Sequence, residues 1–398
     1  MIPVSLRTRA THRCASQRRG VYLLVVHLYV HVPFCRRRCT YCDFAIAVRK
    51  RVPHGRFTAA IQAESERRRA AGDWPRAPFD TVYLGGGTPS QLAPAAIADL
   101  LGTFTWVAGA EITLEANPED VTEPAARAWV EAGVTRVSLG VQSFAPRVLA
   151  WMHRSHEPGA AHRAVTALRE AGAAVSLDLI VALPEDLGHE VLDDVERALA
   201  LEPEHLSVYG LTLEPHTPFG HWVEWDRATP ASDDRYAADF LAVHDVLTDA
   251  GFEHYEVSNY ARRAPGAVNR ARHNSAYWSD APYLGLGPSA HGYQDGTRRW
   301  NLREWTAYER AVARGEDPIA GREALTEEQR FLERVYLTLR TDAALAPADE
   351  ARCDARALLA AEGRGWLTGG PGRRRATPAG WLVLDELVPA LTTSPGGG

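Results

Sequence analysis

The chain has 398 residues, of which 45% are hydrophobic and 24% charged, and its formal net charge is −6. A mildly acidic chain gives no long-range reason to bind nucleic acid, and five cysteines are too few for a secreted disulfide framework. Lys50, the only lysine, lies in AVRKRV, which is the context of neither a phosphate-binding loop nor a Schiff base.

The amino-terminal segment has a cationic start followed by the apolar run VYLLVV, as in a signal peptide. However, His27 and His31 interrupt the apolar pattern, no small-residue cleavage motif follows, and the run is too short to span a bilayer. We therefore expect residues 1–20 to be a disordered or misassigned extension and residues 21–33 to form the first buried strand. The sequence predicts a cytoplasmic protein without an integral membrane segment.

From residue 21 to about 210, short runs rich in β-branched residues alternate with segments that have helical apolar spacing. This alternation predicts βα units around a parallel sheet. The predicted strands cover 21–32, 81–87, 111–118, 134–143, 174–184 and 205–215, and predicted helices include 57–72 and 95–104. Six units fit an α/β fold with a partial (β/α)6, TIM-like barrel, and an open doubly wound sheet is the structural alternative.

The pattern changes after residue 215. A helix is predicted over 230–251, and a stretch punctuated by glycine and proline continues to 300, so that the barrel with its extension covers 21–300. The remainder, 301–391, is predicted to be a mostly helical, winged-helix-like domain, and 392–398 a flexible tail. Winged helices often bind nucleic acid, but Arg373–Arg375 in the wing is more simply a solvated turn, so we predict no nucleic-acid partner.

Polar or glycine-rich features follow the predicted strands in both architectures. A cysteine loop follows the first predicted strand, and Gly85–Pro89 follows the second. Glu115 lies on the third strand, Gln142 follows the fourth, and Asp178 lies within the fifth. The carboxyl ends of parallel strands meet at one edge, where α/β proteins place their chemistry. The sequence therefore predicts one site at this edge.

The cysteine loop, in LYVHVPFCRRRCTYCDF, contains Cys35, Cys39 and Cys42 at the spacing C-x3-C-x2-C. Cys14 and Cys353 are isolated, and we interpret them as apolar fillers or exposed thiols. A structural zinc site needs four tetrahedral ligands, and no further cysteine or histidine pair has finger spacing. Three thiolates on a [4Fe–4S] cluster would leave one iron open to another ligand, so the pattern favours iron–sulfur over zinc.

With Tyr41 directly before its last cysteine, this loop resembles that of the radical S-adenosylmethionine (SAM) superfamily. The longer motifs resemble the oxygen-independent coproporphyrinogen III oxidase-like family, closely over residues 28–295 and loosely beyond. These motifs are YVHVPFCRRRCTYCDF, YLGGGTPS, EANPED, RVSLGVQSF, HLSVYGLTLEP, YEVSNYA, RHNSAYW and LGLGPSAHGY. The resemblance implies that the three cysteines each bind one iron of a [4Fe–4S] cluster and that S-adenosylmethionine chelates the fourth. One-electron reduction would then cleave the sulfonium.

The resemblance also implies a set of S-adenosylmethionine contacts. These are Tyr29, Phe44, Gly86, Gly87, Thr88, Glu115, Gln142, Arg154 and Asp178. Glycines permit close backbone approach, and arginine suits a carboxylate. Each residue has a plainer alternative, such as a helix-dipole partner for Glu115 or Asp178. The chain also departs from the family, because it reads DLIVALPED (178–186) where DLIYGLPGQ is usual.

Two branches of this family differ in activity. The oxidase carries a further cysteine where this chain has Phe44, whereas RHNSAYW (272–278) resembles the H-N-x-x-Y-W signature of a haem-chaperone branch. Haem is then a third expected ligand, with His273 as an axial imidazole and Tyr277 and Trp278 as flat contacts. The alternative is that these side chains simply pack in a core. His291 is a weaker candidate.

We therefore expect a haem chaperone that delivers haem to client haemoproteins. A coproporphyrinogen III dehydrogenase is the enzymatic alternative, and a winged-helix regulator with a structural cluster is a third class. The expected partners are a haem-receiving client, reached in solution or by peripheral contact with a membrane, and an electron donor such as flavodoxin or ferredoxin. Arg36–Arg38 is a candidate docking site for an acidic donor, or else a solvated loop.

Overall fold

The computed structural model describes residues 26–73, 77–154, 156–266 and 269–393. The predicted extension 1–20, Cys14 and nearly all of the predicted tail lie outside these ranges. The described strands are β1 His27–Val32, β2 Phe34–Cys35, β3 Ala47–Val48, β4 Phe79–Gly86, β5 Trp106–Ala116, β6 Arg136–Gln142, β7 Ala174–Val181, β8 His205–Gly210, β9 Phe252–Glu256, β10 Asn259–Arg262, β11 Tyr283–Leu286, β12 His291–Gln294, β13 Thr297–Asn301, β14 Ile319–Ala324, β15 Leu367–Thr368 and β16 Arg375–Ala376.

Helices follow most of the barrel strands and form the carboxyl-terminal region. They are α1 His54–Ala70, α2 Pro94–Leu101, α3 Glu123–Glu131, α4 Pro146–Trp151, α5 Pro158–Ala171, α6 Val191–Leu199, α7 Pro218–Glu224, α8 Asp233–Asp249, α9 Arg272–Trp278, α10 Trp305–Ala313, α11 Glu327–Leu339, α12 Pro347–Glu350, α13 Ala355–Gly363, α14 Pro378–Trp381 and α15 Leu384–Thr392. No helix in the described ranges is both long and apolar enough to cross a membrane.

The sheet is built in chain order. Strands β1, β4, β5, β6, β7 and β8 are neighbours in that sequence, and each pair is parallel. A doubly wound sheet reverses its strand order at a switch point, whereas here successive crossover helices pack beside one another, α1 on α2 and α2 on α3. The predicted partial (β/α)6 barrel is confirmed, and the doubly wound alternative is wrong.

The pleat of the strands separates an apolar outside from a polar inside. Val82 and Leu84 of β4 are fully buried in the main core beneath the helices. Between them, Tyr83 donates a hydrogen bond to Glu115 of β5 across the barrel interior, and Ser138 of β6 likewise donates to Asp178 of β7. Because side chains alternate along a strand, one sequence supplies both the packing face and an inward polar face.

Residues 252–301, which the sequence indicated only as a punctuated stretch, extend both edges of the barrel sheet. Strand β10 pairs antiparallel with β8, and β9 pairs with β10. On the other edge, β11 pairs parallel with β1, so that Leu284 lies opposite Leu28, and β12 to β14 continue antiparallel. Partners this distant in sequence leave no local periodic signal.

A second apolar cluster organises the carboxyl-terminal region. Val335, Leu358 and Leu387 from three helices meet in it, and Phe240 of α8 joins them, so the cluster reaches across the predicted boundary at residue 300. The hairpin β15–β16 occupies the position of the predicted wing. Its Arg374, which we expected to be solvated, is buried and pairs with Glu350 and Glu362.

Candidate functional site

A cavity of about 570 Å³ opens at the carboxyl ends of the barrel strands. Most of the residues predicted for the cluster and for S-adenosylmethionine line it together: Cys35, Cys39, Cys42, Phe44, Gly86, Gly87, Thr88, Glu115, Gln142, Arg154 and Asp178. Tyr29 is not among the lining residues; its hydroxyl bonds to Nδ1 of His31 at 2.9 Å and its ring stacks on Tyr83. The sequence therefore predicts the position of the cavity and eleven of its lining residues.

The cysteine loop is held in place by the surrounding protein. Short strands β2 and β3 pair at its base. Arg36 forms an ion pair with the buried carboxylate of Asp120 at 2.9 Å. The backbone of Thr40 donates to the carbonyl of Met152 at 3.4 Å and accepts from the N–H of Phe219 at 2.9 Å. These contacts orient the loop towards the cavity.

The three loop cysteines are free and half-buried. Burial raises the pKa of the Cys35 thiol to about 12 and that of Cys42 to about 11, so both are protonated at neutral pH until metal binding displaces the protons. Within the described ranges, no three His, Cys, Asp or Glu side chains are arranged to hold a single metal ion. Three separate thiols on one cavity wall fit a cluster whose sulfur ligands bind different irons.

The glycine turn after β4 lies against the cysteine loop. Gly86 has φ +112°, and a Cβ there would lie 2.6 Å from the His31 ring. A Cβ on Gly87 would lie 2.8 Å from the Pro33 carbonyl and 3.0 Å from the Cys35 sulfur. The Thr88 hydroxyl donates to that sulfur at 3.4 Å. Glycine is therefore required at both positions for the turn to approach the loop.

Arg154 is the main cation of the cavity wall. Its Nη2 donates to Asn117 Oδ1 at 2.7 Å and to the Gly140 carbonyl at 2.6 Å, and Nη1 lies 3.8 Å from the Cys39 sulfur. Its buried Nε has no hydrogen-bond partner among the residues that the structure describes. A buried guanidinium on a cavity wall, whose acceptors are the neutral oxygens of Asn117 and Gly140, fits an anionic ligand group such as a carboxylate.

Two carboxylates face the interior near this arginine. Glu115 accepts from the Tyr83 hydroxyl at 2.7 Å and from the Gly86 N–H at 3.0 Å. Asp178 accepts from Ser138 at 2.9 Å. Burial raises the pKa of both carboxyl groups. The pKa of Asp178 rises to about 7, mainly through burial, and repulsion from Glu115 raises it further. Asp178 can therefore both accept and donate hydrogen bonds near neutral pH, which suits contact with ligand hydroxyls.

Sequence reasoning missed several lining residues. Asn117, Ser138, His153 and Tyr209 also face the cavity. The parity of the strands could have identified Ser138 and Tyr209, since they share a face with predicted residues on neighbouring strands. Glu185 and Asp186, the two acids at the end of the divergent DLIVALPED segment, are exposed in a 3₁₀ turn and are not among the residues that line the cavity.

The haem candidates lie at the amino ends of the strands, in α9. His273 is 1% exposed. Its ring Nδ1 is 2.6 Å from the Thr81 hydroxyl and its ring Nε2 is 2.9 Å from the Tyr277 hydroxyl. Its backbone N–H donates to Glu111 at 2.9 Å. Burial lowers its pKa to about 3, so the imidazole is neutral, but both ring nitrogens are already bonded.

The other members of the RHNSAYW motif also have internal contacts. Tyr277 packs edge-on against Tyr283 at 4.7 Å, and the Arg340 guanidinium lies 4.6 Å from the centre of the Trp278 ring. The Tyr83 ring stacks on the His273 ring, with centroids 5.1 Å apart, and Tyr83 also lines the cavity. Tyr83 therefore lies between His273 and the cavity. His291 is exposed on β12 beside Trp300. These candidates are not among the residues that line the cavity.

The chain is similar to known proteins over most of its length. Residues 29–198 match the family model of the radical SAM superfamily. A heme chaperone HemW from Mycobacterium tuberculosis is 38% identical over 373 residues, which cover 92% of this chain and 94% of the relative. HemW from Escherichia coli is 38% identical over 68% of this chain and 71% of the relative. The solved structure of coproporphyrinogen III oxidase (HemN) from Escherichia coli, described as a radical SAM enzyme, superposes with a TM-score of 0.78 at 21% identity and covers 93% of this chain and 90% of its own.

Proposed function

The chain belongs to the radical SAM superfamily and, within its oxygen-independent coproporphyrinogen III oxidase-like family, to the group of HemW proteins, and on this premise we propose that it is a haem chaperone. The observation that carries the proposal is the 38% identity to a heme chaperone over nearly the whole of both chains. Phe44 supports it, because an exposed phenyl ring stands where the oxidase has a further thiol. The proposed activity is to bind haem and deliver it to a client haemoprotein.

We assign the cofactor positions from the cavity wall. Cys35, Cys39 and Cys42 would hold a [4Fe–4S] cluster, which supplies one-electron reduction of a bound sulfonium. The Gly86–Thr88 backbone would receive the amino-acid end of S-adenosylmethionine, and the guanidinium of Arg154, which lines the cavity, would pair with its carboxylate. Glu115, Gln142 and Asp178 would contact its hydroxyl groups, and Phe44 would cover the open side. Tyr29 would act through Tyr83 and His31, which it contacts.

The proposed haem contacts at His273, Tyr277 and Trp278 require a local rearrangement. Iron ligation by His273 would need its ring to release Thr81 or Tyr277, because both nitrogens are engaged. Such a change would disturb the seating of α9 on Glu111. These three residues stay a prediction of the sequence motif.

We propose that the electron donor docks beside the cysteine loop. The parallel pairing of β2 with β3 places the exposed cations 36–38 next to the exposed cations 49–51. Six basic side chains on an acidic chain form a local positive surface that is complementary to an acidic flavodoxin or ferredoxin. The double variant Arg37→Glu, Arg38→Glu should slow cluster reduction by such a donor, whereas Arg127→Glu on α3 should not. Equal rates would reject the docking site.

The cellular setting is proposed from the same chemistry. Thiols that must stay reduced and bind iron indicate a reducing compartment, so we propose a cytoplasmic protein. Its client would then accept haem on the cytoplasmic side, either in solution or through peripheral contact with a membrane-bound haemoprotein.

Anaerobic reconstitution followed by parallel titrations tests the function. We expect one equivalent of haem and one equivalent of S-adenosylmethionine to bind, and haem to pass to an apo-haemoprotein. Incubation with coproporphyrinogen III and a reductant should leave that substrate unchanged. Formation of protoporphyrinogen would reject the chaperone assignment and establish the dehydrogenase alternative. Failure to take up haem would also reject it.

A further inference from the structure

The rim of the cavity exposes large apolar side chains. In the part of the chain that the structure describes, few large hydrophobic residues are exposed, and several of them gather at this end of the barrel. Phe44 (66% exposed) and Tyr209 (44%) line the cavity, and Leu213 lies between the lining residues Thr212 and Glu214. Exposed apolar groups concentrated around one cavity indicate a binding surface for an apolar ligand.

His153 lies in this rim. It follows α4, lines the cavity and is exposed. Its φ is +57°, in the left-handed region that few non-glycine residues adopt. Among the described residues, neither of its ring nitrogens has a hydrogen-bond partner. The rim therefore presents an imidazole whose nitrogens are available to a ligand.

An aromatic wall supports this imidazole. The ring of Trp222 on α7 packs edge-on against His153, with centroids 6.1 Å apart. Trp222 also contacts Trp151, which packs on buried Phe219. The N–H of Phe219 donates to the Thr40 carbonyl, so α7 is tied to the cysteine loop. His153 is thus backed by a wall that belongs to the same structural unit as the cluster loop.

The contrast with His273 decides which imidazole is available. His273 is buried, and both of its ring nitrogens are bonded to hydroxyl groups. His153 needs no rearrangement to coordinate a metal centre. A chaperone must also release its cargo, and exchange with a client requires that the ligand remain accessible. The exposed rim allows this access, whereas the buried position of His273 on α9 does not.

We propose that His153 is an axial ligand of haem iron at the cavity mouth. This inference rests on the proposed function and names the haem site for it. A ring nitrogen of His153 donates its lone pair to the iron, and the macrocycle packs against the apolar rim. The exposed guanidinium of Arg37, which also lines the cavity, is the cation available to a propionate.

The substitution His153→Gly gives a clean test. Glycine adopts a φ of +57° without strain, so the variant should fold at least as well as the parent. His162→Ala, an exposed histidine on α5, is the matched control, and His273→Ala tests the rival imidazole. Each protein is titrated with ferric haem while the Soret band is followed, with and without added imidazole.

We expect His153→Gly to weaken haem binding at least tenfold and to shift the Soret band, and we expect free imidazole to restore the parent spectrum. His162→Ala should match the parent. Parent-like affinity and spectrum in His153→Gly would overturn the assignment, and loss of binding only in His273→Ala would move the ligand to α9. If the parent itself takes up no haem, the proposed function fails together with this inference, whereas failure of His153→Gly alone to change binding leaves the proposed function standing.

Discussion

The two ends of the barrel use similar polar side chains for different purposes. At the amino ends, Glu111 and Arg136 form a buried ion pair at 3.2 Å, and Glu111 also accepts the first N–H groups of α9. At the carboxyl ends, Arg154 donates to the neutral oxygens of Asn117 and Gly140, and the three cysteines are free. A buried charge that is paired with an opposite charge belongs to the fold, whereas a buried charge bonded to neutral oxygens and a set of free thiols beside a cavity indicate a ligand. The comparison predicts that breaking a pair at the amino ends lowers stability, whereas substitutions at the carboxyl ends lower cofactor binding and change the stability of the cofactor-free protein little or raise it.

The largest effect should come from the cysteine loop. Cys39→Ala removes one of three thiols from the cavity wall, and we expect iron and sulfide content after anaerobic reconstitution to fall nearly to zero. The free energy of unfolding of the cofactor-free protein should change little, because Arg36 and Thr40 still hold the loop.

Cys353→Ala is the matched control for this variant. Its thiol is buried in the carboxyl-terminal cluster, far in sequence from the loop. The control should retain the full iron content of the parent, and its free energy of unfolding should fall only slightly, because a small buried side chain is shortened. Equal iron content in Cys39→Ala and the parent would contradict the cluster assignment.

The opposite result is expected at the amino ends. Glu111→Gln leaves Arg136 as an unpaired buried charge, for which we expect a loss of about 3–5 kcal/mol in the free energy of unfolding, measured with urea. Cluster content per folded molecule should match the parent. Glu123→Gln, which removes an exposed ion pair with Arg127, should cost less than about 1 kcal/mol. A stable Glu111→Gln protein that fails to bind the cluster would break the comparison.

The sequence predicted the carboxyl end far better than the amino end. Cys35, Gly87, Glu115 and Asp178 could be placed together because each belongs to a motif at or near the end of a strand, and parallel strands align those ends. The barrel itself followed from local periodicity. These signals are all short in range.

The amino end depends on contacts that are distant in sequence. The position of His273 is set by Thr81 and Glu111, and β11 pairs with β1 through residues at opposite ends of the barrel region. No spacing or composition reveals such pairs. Arg374 shows the same limit, because its burial depends on Glu350 and Glu362 rather than on its neighbours in the wing.

A smaller effect should appear at the carboxyl end as a pH dependence. Burial raises the pKa of Asp178 to about 7, so between about pH 4 and pH 7 the folded state keeps a proton that the unfolded state has lost. Rising pH therefore destabilises the cofactor-free protein through this window. Asp178→Asn should remove this cost of ionising a buried carboxyl group, so the variant should be more stable than the parent at pH 8. The full pKa shift would correspond to a gain of about 4 kcal/mol in the free energy of unfolding, and screening by cavity water reduces the expected gain to about 2 kcal/mol.

Urea unfolding at pH 5.5 and pH 8 measures this difference, and exposed Asp186→Asn is the control. The advantage of Asp178→Asn should shrink as pH falls. An advantage that is constant with pH would show that Asp178 does not titrate differently in the folded state.

The smallest effect concerns Tyr83, which contacts both ends of the barrel. Its hydroxyl donates to Glu115 in the cavity wall, while its ring stacks on His273. Tyr83→Phe keeps the ring and removes one hydrogen bond, so we expect a loss of about 1 kcal/mol in unfolding free energy. Calorimetric titration should show S-adenosylmethionine binding weakened two- to fivefold, because Glu115 is less well positioned, with haem affinity unchanged. If haem binding weakened as well, the wall that holds Glu115 would also contribute to haem binding at the cavity mouth. A loss of unfolding free energy well above about 1 kcal/mol would show that the stack on His273 is disturbed too, and the two ends could not be treated as separate.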